Sequence, residues 1–161
     1  MILMNKQEVY DLLDSKNISY EVIEHIPIFT MEEASKIDMP YPDLVAKNLF
    51  IRDDKKRNYY LLSMKGDRSI DLKGFKETFH TRSLSFASEN DLKKILGLIK
   101  GAVTPFGLFN DLDSKVQFFI DKSLINGKIG IHPNDNSATI FLETKDLIDL
   151  IKEHGNTVIE F

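Results

Sequence analysis

Two apolar segments separated by a short polar turn constrain the fold more than any other feature of this sequence. Residues 45–52 and 59–64 contain aromatic and β-branched side chains, and all six residues between them, 53–58, are polar or charged. Segments of this composition and length form strands, and a short polar connection joins them as an antiparallel pair. The sequence therefore predicts a β-hairpin here.

Helix-like and strand-like segments alternate irregularly around this hairpin. Helices are predicted after Asn5, Thr30, Ser88 and Thr144 and at residues 72–79, and further strands at residues 19–23, 83–87, 116–120, 128–131, 138–142 and 157–161. Because strands are joined both by hairpins and by helices, we expect an α/β (α+β) fold with a mixed, mostly antiparallel central sheet and flanking helices. No repeat or Pro/Gly-rich linker interrupts the chain, which predicts one domain over residues 1–161.

Local chemistry marks the ends of several predicted helices. Thr30 and Glu33 have the spacing of a capping box, in which each side chain satisfies the other residue's free backbone N–H. Thr144 stands where an N-cap is expected for the final helix. Residues 101–107, with two glycines and a proline, are predicted to form a loop.

Composition excludes several classes of protein. The 161 residues contain no cysteine, so disulfide scaffolds, thiolate nucleophiles and Cys-ligated metal sites are excluded. No Gly-x-Gly-x-x-Gly or Gly-x-x-x-x-Gly-Lys motif is present, and no pair of the four histidines has zinc-ligand spacing. We therefore expect no cofactor and no metal. Neither a signal peptide nor an apolar run that could span a bilayer is present, so we expect a soluble, cytoplasmic protein that binds no membrane.

Charge is unevenly distributed along the chain. The net charge is −4, which argues against a protein that coats DNA or RNA through bulk positive charge. Between Lys47 and Arg82, however, ten basic residues accompany five acidic ones. This local excess predicts either a patch that binds phosphate or a solvated hairpin with a charged turn.

Three positions are candidates for a functional site, and each also has a purely structural interpretation. Lys47 lies in an otherwise apolar strand, where its ammonium either faces solvent or enters a pocket that holds an anion. His132 begins a polar connection between two predicted strands, which is either a plain turn or a site presented by a rigid scaffold. Gly101 permits close approach of a ligand to the backbone, but glycine is also common in loops without a function.

Five stretches considered together favour the functional alternatives. They read FTMEEA at 29–34, AKNLF at 46–50, DRSIDLK at 67–73, GAVTPFG at 101–107 and HPNDN at 132–136, the last followed by Ala138 and Thr139. In order and spacing the chain resembles the YbaK/prolyl-tRNA-synthetase-associated domain family. Within that family it is most similar to the free-standing deacylases that hydrolyse alanine mischarged onto proline tRNA. The likeness covers nearly the whole chain and implies a YbaK-like fold.

The resemblance implies a catalytic set and a binding set. Lys47, Gly101 and His132 form the first: Lys47 would hold phosphate or the adenosine end, and the Gly101 loop would hold the attacking water through its backbone. His132 would position the aminoacyl end, with a role as general base left open. The free ribose hydroxyl of the substrate would assist proton transfer. The binding set comprises Thr30, Asn48, Thr104, Pro105 and Asn136.

The implied substrate is an ester between a small amino acid and the acceptor end of proline tRNA. A pocket bounded by residues 101–105 would admit a methyl side chain and reject a larger or cyclic one, which is the logic of a second editing sieve. The expected partner is the tRNA acceptor end, with prolyl-tRNA synthetase as a further candidate. Two alternatives stay open: cysteinyl-tRNA as substrate of the same chemistry, and a non-catalytic module that binds tRNA ends or a synthetase.

Overall fold

The computed structural model describes residues 4–161, with the following elements. The helices are α1 (Lys6–Ser15), α2 (Met31–Ser35), α3 (Leu72–Phe79), α4 (Glu89–Asp91) and α5 (Thr144–His154). The strands are β1 (Tyr20–Glu24), β2 (Ala46–Asp53), β3 (Tyr59–Lys65), β4 (Leu84–Phe86), β5 (Val116–Ile120), β6 (Lys128–Ile131), β7 (Ala138–Glu143) and β8 (Val158–Glu160). Short 3-10 helices lie at Pro42–Leu44, Pro105–Asn110 and Lys122–Leu124, and a π-helical turn, Leu92–Leu96, continues α4. No helix within residues 4–161 has the length and apolar character needed to cross a bilayer.

The strands form two sheets. One is antiparallel, with the order β1-β7-β6, and the other has five strands in the order β4-β2-β3-β5-β8. The predicted hairpin is confirmed, with β2 and β3 antiparallel from Ala46 opposite Lys65 to Arg52 opposite Tyr59. Antiparallel pairs dominate and helices flank the sheets, so the predicted fold class is confirmed. The five-stranded sheet is mixed, because β5 pairs with β3 and β8 pairs with β5 in parallel, and β1, β6 and β7 form a separate antiparallel sheet.

Strand β3 is buried on both of its faces. Leu61 packs into the main core shared by α1, α5 and both sheets, whereas Leu62 packs into a second cluster around Phe75 of α3. Both leucines are fully buried, and burial of each side chain contributes roughly 1.5–3 kcal/mol. Cover on both faces explains why this strand is continuously apolar rather than alternating.

The two helix starts singled out in the sequence agree only in part with the predicted capping. Thr30 Oγ1 accepts from the backbone N–H of Glu33 at 3.1 Å, but the Glu33 carboxylate contacts the Thr30 hydroxyl instead of its backbone N–H, so only half of the capping box forms. Thr144 was wrongly predicted as an N-cap. Strand β7 continues to Glu143, which takes the N-cap position, and Thr144 is already the first helical residue of α5.

Candidate active site

A cavity of about 270 Å³ opens where the two sheets approach each other. The sheets are joined there by a parallel bridge between Val45, just before β2, and Gly130 of β6. The walls come from four separate parts of the chain, and five predicted site residues lie among them: Thr30, Lys47, Asn48, Gly101 and His132. The fold therefore brings most of the candidate residues to one place.

Lys47 is one of the residues that line this cavity. It lies near the start of β2, opposite Met64 of β3, and it is half-buried among the lining residues. Within residues 4–161, Lys47 takes part in none of the ion pairs. Lys47 thus lies at the wall of the cavity, and its flexible side chain can bring the ammonium group to an anion.

The neighbouring Asn48 is held by a cross-strand contact. Its side-chain oxygen accepts a hydrogen bond from the hydroxyl of Ser63, the residue directly opposite on β3. Because this bond occupies the acceptor, the amide N–H groups of Asn48 are the atoms left to contact a ligand. Asn48 can therefore donate to phosphate, ribose or carbonyl oxygen.

Gly101 lines the cavity at a position where its backbone conformation and its close contact with Phe29 disfavour any larger residue. Its φ is +85°, and a Cβ built there would lie 3.1 Å from the Phe29 carbonyl oxygen and 3.2 Å from the Phe29 Cα. The positive φ and the close approach both require glycine. The loop that carries Gly101 therefore packs directly on the segment that contains Thr30, and the two segments bound one side of the cavity.

His132 follows β6 and is held in one tautomer. Its Nδ1 lies 2.9 Å from the carbonyl oxygen of Ala138, an atom that can only accept, so Nδ1 carries the proton and Nε2 keeps its lone pair in the neutral ring. Burial lowers the pKa of His132 below its usual 6.5, and the neighbouring His25 acts in the same direction, partly offset by the Ala138 hydrogen bond and by Asp135. At neutral pH His132 is a hydrogen-bond acceptor through Nε2.

Three predicted substrate contacts lie outside the cavity lining. Thr104 is fully buried and donates to the backbone carbonyl of His132 at 2.6 Å. Pro105 is also buried, because residues 105–110 form a 3-10 helix where the sequence predicted the rest of a loop. The side chain of Asn136 donates from Nδ2 to the backbone carbonyl of Ile28 at 3.1 Å, and the backbone carbonyl of Asn136 accepts from the Ile28 N–H. Thr104 and Asn136 position the walls through hydrogen bonds to the backbone.

Thr139 and its hydrogen-bond partner His25 were not among the residues that the sequence reasoning assigned to the site. Thr139 lines the cavity, and its hydroxyl lies 2.9 Å from Nε2 of His25. His25 Nδ1 donates to the Ile26 carbonyl at 2.7 Å, so Nε2 accepts from Thr139. The two imidazole rings, of His25 and His132, have centroids 6.2 Å apart. No local signal could have shown this, because the pairing of β1 with β7 brings these distant residues together.

The basic excess between Lys47 and Arg82 does not form one patch. Lys55 lies in the hairpin turn, at the opposite end of β2 from Lys47. Arg82 pairs with Asp54 at 2.6 Å, and Arg68 lies 3.3 Å from Asp121. Of the ten basic residues between Lys47 and Arg82, Lys47 alone lines the cavity, and the charged turn fits the alternative of a solvated hairpin.

The cavity also has an apolar side, formed by Ile28, Ala34, Met39 and Val45. Among the residues that the structure describes, no group of three or more His, Asp or Glu side chains is arranged to hold a metal ion. The arrangement combines a cation, a neutral imidazole, amide donors and a close backbone loop next to an apolar wall. Such a site can bind an anionic or ester-bearing ligand and position a water against it.

Comparison with known proteins identifies the family. Residues 25–150, which include every candidate residue above, match the family model described as an aminoacyl-tRNA editing domain. The chain is 46% identical over 153 residues to the prolyl-tRNA editing protein ProX of Acetoanaerobium sticklandii, covering 94% of this chain and 93% of that protein. It is 33% identical over 159 residues to prolyl-tRNA synthetase associated domain-containing protein 1 of Mus musculus, covering 96% and 94% of the two chains.

Two weaker likenesses extend the comparison. A solved structure of a candidate trans-editing enzyme for prolyl-tRNA synthetase superposes with a TM-score of 0.70 at 18% identity, covering 99% of this chain and 98% of that chain, which indicates a common fold. A 79-residue stretch is 30% identical to the proline–tRNA ligase of Clavibacter sepedonicus, covering 46% of this chain and 13% of that ligase. The family resemblance inferred from the sequence motifs is thereby confirmed.

Proposed function

We propose that this chain, which belongs to the aminoacyl-tRNA editing domain family and is an aminoacyl-tRNA hydrolase, clears alanine from mischarged proline tRNA. The observation that carries this proposal is the convergence of Lys47, Gly101 and His132 on one cavity, from three distant parts of the sequence. The similarity to the ProX protein supports proline tRNA as the substrate class.

The reaction is hydrolysis of an ester. The oxygen of a water attacks the carbonyl carbon, the bond to the ribose oxygen breaks, and the amino acid and the free tRNA 3′ end leave. Such a reaction needs a held water, a group that takes its proton, and donors for the oxyanion that develops. We assign the holding of the water to backbone atoms of the Gly101 loop, and the proton transfer to the neighbouring ribose hydroxyl of the substrate.

His132 positions the aminoacyl group in this scheme. Its neutral Nε2 can accept a hydrogen bond from the water, the ribose hydroxyl or the α-amino group of the substrate, because Nδ1 is committed to Ala138. A lowered pKa keeps the ring neutral near pH 7 and makes it a weak base. This favours positioning over general-base catalysis.

Lys47 and Asn48 bind the nucleotide end. Lys47 is half-buried and has no carboxylate partner within residues 4–161, so it can attract phosphate, and the adjacent amide N–H groups of Asn48 supply direction. Only the acceptor end of the tRNA enters the cavity, so the net charge of −4 is no obstacle.

Selectivity for the amino acid is steric. The apolar wall of Ile28, Ala34, Met39 and Val45 suits the methyl group of alanine, and the Gly101 loop, packed closely on Phe29, limits the space for a larger or cyclic side chain. A second sieve of this kind is needed because a synthetase pocket built for proline cannot strongly exclude a smaller amino acid. The partners we infer are the tRNA acceptor end and, as the enzyme whose errors are corrected, prolyl-tRNA synthetase. From these two partners we infer that the protein acts in the cytoplasm.

The test is deacylation of alanyl-, cysteinyl- and prolyl-tRNA for proline by the purified protein, each compared with uncatalysed hydrolysis. We expect rapid release of alanine with proline spared. Release of cysteine alone would keep the chemistry and overturn the proposed specificity. No acceleration on any of the three would contradict the deacylase proposal and favour a module that only binds tRNA ends.

A further inference from the structure

A second concave surface adjoins the cavity. This side groove, of about 500 Å³, lies between β2, residues 86–89 and the loop that carries Lys100 and Gly101. It has four lining residues in common with the cavity: Asn48, Leu49, Gly101 and Val103. A ligand held in the cavity can therefore extend into the side groove by passing over β2 and the Gly101 loop.

The lining of the side groove suits a nucleobase and its phosphate. Phe86, on the edge strand β4, presents an aromatic side chain that is 56% exposed. Lys100 is 82% exposed on the other side, and its Nζ lies 3.8 Å from the nearest carboxylate oxygen, on Glu89. A base stacks on an exposed ring regardless of its identity, and a loosely paired lysine can move to a phosphate.

The other surface that adjoins the cavity suits a nucleotide poorly. A polar groove of about 400 Å³ near Lys65 has only Val45 in common with the cavity. Its lining includes Asp43 and Asp67, two carboxylates that repel a phosphate group. The polar groove thus has two carboxylates against Lys65, whereas the side groove has one, Glu89, against Lys100. Both this balance and the larger number of lining residues in common with the cavity favour the side groove for the nucleic acid.

We propose that the side groove binds the nucleotide that precedes the terminal adenosine of the tRNA. Its base stacks on the ring of Phe86, and the phosphate on its 5′ side contacts Lys100. This inference rests on the proposed function, since it assumes that the aminoacyl-adenosine occupies the cavity. It extends that function by giving the enzyme a dinucleotide site instead of a mononucleotide site.

Two short substrates test the proposal. One is adenosine 5′-phosphate esterified with alanine, and the other carries one more nucleotide, as the alanyl ester of pCpA. Phe86→Ala is expected to lower kcat/KM on the dinucleotide ester about tenfold, as expected for the loss of base stacking on an aromatic ring. The mononucleotide ester should be unaffected. Phe86→Trp, which keeps a ring, should retain the activity that Phe86→Ala loses.

Lys100→Ala should weaken turnover of the dinucleotide ester and reduce its dependence on salt concentration, because one phosphate contact is lost. Leu112→Ala and Lys55→Ala are the matched controls, since Leu112 is 73% exposed and Lys55 lies in the hairpin turn, both outside the cavity and the side groove. Neither control should change the ratio of the two rates.

Two results would overturn the proposal. An equal loss on both esters in Phe86→Ala would place the terminal adenine itself in the side groove, and an unchanged rate on the dinucleotide would exclude the side groove from binding. Titration calorimetry with pCpA and pA that carry no amino acid gives a readout that needs no hydrolysis. If the wild-type protein cleaved neither ester, the proposed function would fail. Tighter binding of pCpA than of pA, lost in Phe86→Ala, would still support the side groove as a nucleotide site.

Discussion

Replacing Gly101 by alanine tests the candidate site most directly, because the structure provides both the strain and its location. The φ of +85° costs an L-residue roughly 1–2 kcal/mol. The added methyl group also meets the backbone of Phe29 at 3.1–3.2 Å, where no flexible side-chain end can move aside. The two segments must therefore separate, and both of them line the cavity.

The expected loss of stability is about 1–2 kcal/mol, which lowers Tm by roughly 3–6 °C in a domain of this size. The loss of kcat/KM on alanyl-tRNA should be at least about tenfold, equivalent to about 1.4 kcal/mol of transition-state stabilisation. Thermal unfolding and single-turnover deacylation, measured at a temperature at which every variant is folded, separate the two effects.

Two glycines elsewhere in the chain serve as matched controls. Gly155 also has a positive φ, +113°, but it ends α5 and contacts Ser114 instead of the cavity, so Gly155→Ala should lose stability and keep its activity. A Cβ on Gly127 meets nothing within 4 Å, so Gly127→Ala should change neither. Wild-type activity in Gly101→Ala, or an activity loss of equal size in Gly155→Ala, would refute the assignment of the Gly101 loop to the reaction.

Three further predictions concern the other polar residues. Lys47→Met should lower kcat/KM on alanyl-tRNA by more than about tenfold and change Tm by less than about 2 °C. The control Lys55→Met should change neither quantity. A large loss of Tm in Lys47→Met would indicate a structural role instead. Because the pKa of His132 is lower in the folded protein than its usual 6.5, the unfolded state binds more protons below that pH, so the stability of the wild type should fall as pH decreases from about 6.5. His132→Gln should lack this part of the pH dependence in urea unfolding, and an identical slope in both proteins would contradict the assignment. Thr104→Val keeps the side-chain shape but leaves the His132 carbonyl without its buried donor, so it should cost about 1–3 kcal/mol in urea unfolding, and no loss would show that the hydrogen bond contributes nothing.

The candidate site was predictable from sequence only in part. Short motifs identified Lys47, Asn48, Gly101 and His132, and the fold places all four around one cavity. Thr104 and Asn136 are in those motifs too, but their side chains bond to the backbone behind the walls. A motif records which residues occur together, and it cannot distinguish a residue that contacts a ligand from one that holds the contacting residue in place.

Local features of the fold were determined by the sequence itself. The polar turn between two apolar segments specifies the β2–β3 hairpin, and the Asn5 side chain accepts from the Glu8 N–H to begin α1, as its position predicts. These features depend on interactions between residues a few positions apart, so the pattern of side chains is sufficient to specify them.

Long-range pairings were decided only by the tertiary structure. The parallel alignment of β5 with β3, and the separation of the strands into two sheets, depend on contacts between residues that are distant in the sequence. The same is true of the position of Lys47 at the cavity wall and of the contact between His25 and Thr139. A side chain's burial and partners are properties of the packed core, in which many alternative pairings satisfy the same local pattern and only one fills the space between the sheets.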